Sequence, residues 1–166
     1  MLNILYIIPG LGENCNLVRY KKLKKACEAK GYKVNCINPD WHQPVSKLIF
    51  KVEKGAVVLG FSMGAILAYL IAKKSPYKKA IFASISPIET FSFESYRDNL
   101  LPHMSKDNAS LLAKDVKGIK ISLESLKIKY VTLAGQRENM PADIIVPRTG
   151  HNMTDSYIKC IIPLLP

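Results

Sequence analysis

Ser62 stands in Gly60-Phe61-Ser62-Met63-Gly64, between an apolar run that reads as a strand (Ala56 to Leu59) and one that reads as a helix (Ala65 to Ala72). A serine at a sharp strand-to-helix turn has its hydroxyl pushed clear of the backbone, and flanking glycines leave room for the cramped turn. Such an alcohol is a poor nucleophile near neutral pH unless a histidine takes its proton and a carboxylate fixes that histidine's tautomer. Of the three histidines, His42 follows Trp41 in a turn after the second strand, and His103 lies after Pro102 in an irregular stretch. Neither has a clear route to Ser62. His151, in Arg148-Thr149-Gly150-His151-Asn152, falls between the last short strand and the last helix, where a loop can reach the serine, and it is read as the base.

The carboxylate is Glu138 by position, in a loop after the strand Ile128 to Ala134, with Asp143 five residues on and Glu89 after the preceding strand as alternatives. Acyl transfer also needs donors aimed at the developing oxyanion. The backbone N–H of Met63 at the helix start is one. The N–H of Leu11 in Pro9-Gly10-Leu11-Gly12 is the other, since two glycines let that loop turn tightly. This chemistry needs neither cofactor nor metal.

The elements that must position these groups follow from periodicity. Leu2 to Ile8 is nearly continuous in apolar character, as a central parallel strand covered on both faces would be. Leu17, Tyr20, Leu23 and Cys27 recur every three or four residues, so Asn16 to Lys30 reads as an amphipathic helix with lysines on its other face. Lys33 to Ile37 is a short strand, Val45 to Glu53 a weaker helix, Ala80 to Ile85 and Ile144 to Val146 further strands, and Asn152 to Ile162 a closing helix. Strands alternating with helices favour right-handed crossovers and a parallel sheet. Pro87 to Leu126 breaks the rhythm and reads as an insertion with two helices, Ser92 to Leu101 and Lys106 to Val116. As a lid it would offer Phe91, Phe93, Tyr96 and Met104 as walls of an acyl pocket; the other reading is a plain crossover with a satellite core.

With serine, acid and histidine in that order, the sequence resembles the α/β-hydrolase superfamily over nearly its whole length. Gly60 to Gly64 matches the family's nucleophile elbow, Pro9-Gly10-Leu11-Gly12 takes the place of its oxyanion loop, and Gly150-His151-Asn152 matches its histidine loop. Glu138 falls where members usually carry Asp, and Pro9 where many carry His. The resemblance implies a doubly wound, mostly parallel sheet of about six strands in one domain, without the family's first antiparallel pair. It also implies a serine hydrolase of carboxylic esters or thioesters.

The totals bound the rest. A chain of 166 residues, 48% hydrophobic, holds one domain with a real core. Lys+Arg 24 against Asp+Glu 13 gives a formal charge of +11, which favours acidic partners, an acyl carrier protein among them. The lysines are dispersed, with none of the aromatic-studded basic strands of single-stranded nucleic-acid binders, so nucleic acid is not the expected partner. Cys15, Cys27, Cys36 and Cys160 form no C-x-x-C pair and read as buried free thiols. Met1 to Gly10 has neither a basic leader nor the length of a span, and a cytoplasmic location is the expectation. A non-catalytic module of the same fold is the competing functional class.

Overall fold

The computed structural model describes residues 3–85 and 88–166, apart from the side chain of Glu89. Leu2, the expected start of the first strand, and Pro87, the expected start of the insertion, lie outside the described residues. Six strands, β1 (Asn3–Ile8), β2 (Tyr32–Cys36), β3 (Val57–Phe61), β4 (Lys79–Ala83), β5 (Lys129–Gly135) and β6 (Ile144–Val146), form one sheet. Its order is β2-β1-β3-β4-β5-β6, with every neighbouring pair parallel. The chain steps outward from β1 to β2 and then returns to the other side of β1 to lay down β3. Strand order therefore reverses between β1 and β3, opening a crevice at their carboxyl ends.

Alternation along the strands divides the core. Leu5, Ile7, Leu59 and Ile81 face one side, where α1 (Val18–Ala29) and α6 (Asp155–Ile161) cover them. Tyr6, Ile8, Val58 and Phe82 face the other, under α3 (Met63–Lys74). Helix α1 buries Tyr20, Leu23 and Cys27 and leaves Lys21, Lys22 and Lys25 exposed. Helix α3 is buried around most of its circumference, from Met63 through Ala72 with Leu70 partly exposed, because the sheet lies beneath it and the insertion above. The insertion contributes α4 (Phe93–Leu100) and α5 (Lys106–Lys117), capped by the Ser92 and Ser105 hydroxyls, which accept from the Ser95 and Asn108 amides. Their apolar faces, Tyr96 with Leu100 and Ala109 with Leu112, Ala113 and Val116, join the α3 side of the core.

Several expected helices are shorter than their patterns suggested, two of them by a turn or more. Only Val45–Leu48 (α2) is helical in the stretch read as Val45 to Glu53; Ile49 is extended at ψ 121°. The extended path lets Val52 bury at 2% exposure and brings Glu53 to the Tyr6 hydroxyl, which a continued helix would have carried away. Helix α6 begins after Thr154, not at Asn152, because Gly150 to Asn152 is taken up by a tight turn in which the Asn152 N–H donates to the Gly150 carbonyl. Among the described residues no helix is long and apolar enough to cross a membrane.

Candidate active site

The site is built from the segments that leave the carboxyl ends of the strands. After β3, Ser62 takes φ 54° and ψ −120°, a backbone state that a side chain enters only when its surroundings enforce it. The enforcement is close packing. A Cβ at Gly60 would sit 2.5 Å from Ala65 Cα, and one at Gly64 would overlap the Ile8 carbonyl, so only glycine lets α3 start this close to β1 and β3. The Ser62 N–H stays in the sheet, donating to the Ala83 carbonyl at 2.9 Å. Its hydroxyl does not cap α3 and is left to point into the crevice.

Ser62 Oγ lies 2.7 Å from His151 Nε2, and His151 Nδ1 lies 2.6 Å from Glu138 Oε1. An ionised carboxylate only accepts, so the proton of a neutral imidazole sits on Nδ1 and Nε2 is the acceptor for the serine hydroxyl. The histidine ring rests against Phe61, centroids 5.4 Å apart, and Phe61 in turn meets the edge of Tyr157 at 5.7 Å. Its loop is sewn to the loop after β5: the Arg137 N–H donates to the Thr149 carbonyl, and the Arg148 N–H to Gln136 Oε1.

Glu138 is the most heavily engaged side chain of the site, only 5% exposed. Its Oε2 accepts from Ser84 Oγ at 2.7 Å, from Tyr157 Oη at 2.9 Å and from the Gly135 amide. Burial by itself pushes this carboxyl upward, but the bonds from His151, Ser84, Gly135 and Tyr157 outweigh it and hold the pKa at about 2. Glu138 is therefore an anion at any pH near neutrality.

Asp143 is elsewhere: its carboxylate accepts from the amide and hydroxyl of Thr132, tying the chain before β6 to β5. The side chain of Glu89 lies outside the described residues. His42 bonds Asn108 on the exposed surface, away from the serine. Leu11 lies beside Ser62 and Met63 in the wall of a cleft of about 500 Å³ that also takes in Glu138 and His151.

Of the four expected wall residues from the insertion, Phe91 and Tyr96 line the cleft. Phe93 is turned out, at 36% exposure, and Met104 packs against the core instead. Asn99, Leu100, His103 and Met140 line it without having been expected there. His103 reaches the cleft because Gly12, at φ 72°, has no side chain: a Cβ there would sit 2.6 Å from His103 Nδ1. Ser84 and Tyr157 were also missed as partners of the acid. Ser84 is one residue past β4, which is the signal that it shares the rim; Tyr157 reads only as an apolar position of the last helix. Among the described residues no group of three or more His, Cys, Asp or Glu side chains is arranged to hold a metal ion.

A parallel sheet in this strand order, with a serine in a strained turn after β3 and a histidine after the last strand, is the α/β-hydrolase fold. Solved structures of that fold align with nearly the whole chain. Alpha/beta hydrolase domain-containing protein 10 from mouse is similar at 15% identity and TM-score 0.63, over 98% of this chain and 87% of that one. Est1E from Butyrivibrio proteoclasticus is similar at 12% identity and TM-score 0.69, covering 98% and 84%. The RedJ thioesterase of the prodiginine pathway in Streptomyces coelicolor is similar at 12% identity and TM-score 0.54, covering 98% and 88%. No protein-family model and no curated protein matches the sequence.

Proposed function

We propose that this chain is a serine hydrolase that cleaves carboxylic ester or thioester bonds through an acyl-enzyme intermediate. The observation that carries the reading is the unbroken row from Ser62 Oγ through His151 to Glu138, at 2.7 and 2.6 Å, opening on a cleft wide enough for an acyl group. Ser62 attacks the acyl carbon as His151 Nε2 takes its proton. The imidazolium that forms is stabilised by the Glu138 anion. The N–H groups of Met63 and Leu11 hold the oxyanion, and His151 then returns its proton to the leaving oxygen or sulfur. Water, activated by the same imidazole, releases the acid.

The fold likeness to an esterase-related protein of Clostridium acetobutylicum (TM-score 0.60) and to a thioesterase supports this class of bond. The charge of +11 favours an acyl group presented on an acidic carrier protein in the cytoplasm, within a single domain whose α4–α5 segment acts as a lid.

A fluorophosphonate probe tests the reading. Wild type should be labelled, Ser62→Ala should not, and His151→Ala should be labelled far more slowly. Folded wild-type protein that resists the probe would make the chain a binding module of the same fold instead.

A further inference from the structure

Outside the row of Ser62, His151 and Glu138, a cluster of ionisable side chains borders the glycine turn that faces Ser62. Glu13, on the loop after β1, is 12% exposed at its side chain and accepts from Arg19 Nη2 at 2.6 Å and from the Tyr20 hydroxyl at 2.5 Å. Tyr20 is fully buried on the inner face of α1, so the carboxylate is tied to a rigid helix. Glu13 also closes the turn, its N–H donating to the Gly10 carbonyl at 3.2 Å. The space a side chain at position 10 would occupy is bounded by Ser62 Cβ at 3.0 Å and by Glu13 Oε2 at 3.4 Å. The carboxylate and the nucleophile therefore flank the same glycine. Burial and then Glu13 raise the Tyr20 pKa, whereas the Gly10 amide and Arg19 act in the opposite sense, as groups gathered around one phenol oxygen would.

This placement has a steric and an electrostatic side. The turn Gly10-Leu11-Gly12 is closed by a single backbone bond, from the Glu13 N–H to the Gly10 carbonyl, so where Glu13 is held sets how the turn lies. A bare carboxylate across this glycine from the serine would also oppose the negative charge that develops on the acyl oxygen.

We propose that Glu13, Arg19 and Tyr20 are positioning residues: Tyr20 and Glu13 clamp the Gly10–Gly12 turn so that the Leu11 N–H faces the oxyanion, and Arg19 cancels the Glu13 charge there. The proposal rests on the reading of Ser62 as the nucleophile. It concerns residues that touch neither substrate nor the reacting atoms, so its signature is loss of transition-state binding with ground-state binding kept.

The test compares wild type, Arg19→Gln, Tyr20→Phe and the double variant Glu13→Gln/Arg19→Gln on one small neutral ester, with a boronic acid as transition-state analogue. Arg19→Gln and Tyr20→Phe should each lower kcat by about 10- to 100-fold, within the loss expected of a misaimed oxyanion donor. KM should stay within about threefold, and boronate affinity should fall by the same factor as kcat/KM. The double variant should recover most of the Arg19→Gln loss, since the opposing charge is gone and the amide oxygen that Glu13→Gln introduces still accepts from Tyr20. Because Arg19 is partly exposed, its variant folds even if Tyr20→Phe does not.

A wild-type kcat in Arg19→Gln, or a double variant no better than the single one, would overturn the clamp while leaving the nucleophile standing. Hydrolysis that persists in Ser62→Ala, or none in wild type, would overturn both.

Discussion

Ser84 donates its hydroxyl to Glu138 at 2.7 Å from a backbone that has left the right-handed region, at φ 49°, and is fully buried. A non-glycine residue pays for that conformation in strain, and here the return is a third strand end joined to the acid. The bond fixes Oε2, which leaves Oε1 aimed at His151. Ser84→Ala should therefore loosen the acid without removing it. We expect kcat to fall about three- to tenfold and stability by about 1.5–3 kcal/mol, as for the loss of a bond to a charged group. A kcat indistinguishable from wild type would show that the remaining bonds hold Glu138 unaided.

The depressed pKa of Glu138, about 2 against an ordinary 4.5, makes acid resistance a second readout. A group whose folded-state pKa is lowered contributes stability that is complete above its unfolded pKa and is lost as pH falls toward the folded one. The shift corresponds to at most about 3 kcal/mol, given up between roughly pH 5 and pH 2. Tyr157→Phe removes a donor and should move acid unfolding, followed by circular dichroism, to higher pH. Glu138→Gln should flatten the pH dependence across that window and lower kcat by about two to four orders of magnitude.

Gly135 is the junction of the acid and histidine loops: a Cβ there would sit 2.6 Å from the Gly150 carbonyl and 2.8 Å from that of Thr149. Neither neighbour is a flexible side-chain end, so Gly135→Ala must displace the His151 loop. Urea unfolding should show a loss of about 1–3 kcal/mol, the usual cost of overpacking. Activity should fall through kcat more than through KM. Full activity at unchanged stability would mean the two loops are not coupled.

On the proposed reading, the cleft sets acyl length. Met140 is a partly exposed wall residue on a loop, so Met140→Trp narrows the space at little structural cost. Across a graded ester panel, short acyl groups should be processed within about twofold of wild type. KM should rise about fourfold for each methylene that no longer fits, from roughly 0.8 kcal/mol per buried CH₂. A uniform loss across the panel would place the acyl group elsewhere.

If the substrate is delivered on an acidic carrier, the +11 surface should act through association. The kcat/KM for a carrier-linked thioester should drop about tenfold or more from low to high salt, while that for a small neutral ester stays nearly flat. Equal salt dependence of the two would rule the carrier out.

Much of this arrangement can be read from residue types because it is local. The elbow is a contiguous pentapeptide whose glycines are demanded by main-chain contacts, and the strand and helix that flank it stand out as continuous apolar runs. The histidine and the acid are legible from chain order, since in a parallel sheet the segments after successive strands share one rim. The hidden part is anything set by the way separate elements pack. Ser84 looks like any residue after a strand, Tyr157 like a core aromatic, and His103 enters the cleft only because Gly12 is bare. The truncated second helix is hidden for the same reason: Glu53 is placed by Tyr6 on β1, and Val52 by burial in the α3-side core, not by their own periodicity.

The contact between Gly64 and the Ile8 and Pro9 carbonyls involves no side chains. The gap between the start of α3 and the end of β1 is thus gauged by main chain alone, and no exchange at position 64 can tune it by small steps. If the chain hydrolyses acyl esters as proposed, engineering that seeks a different reactivity has to act on the row of Ser62, His151 and Glu138, and engineering that seeks a different acyl group has the α4–α5 wall to reshape.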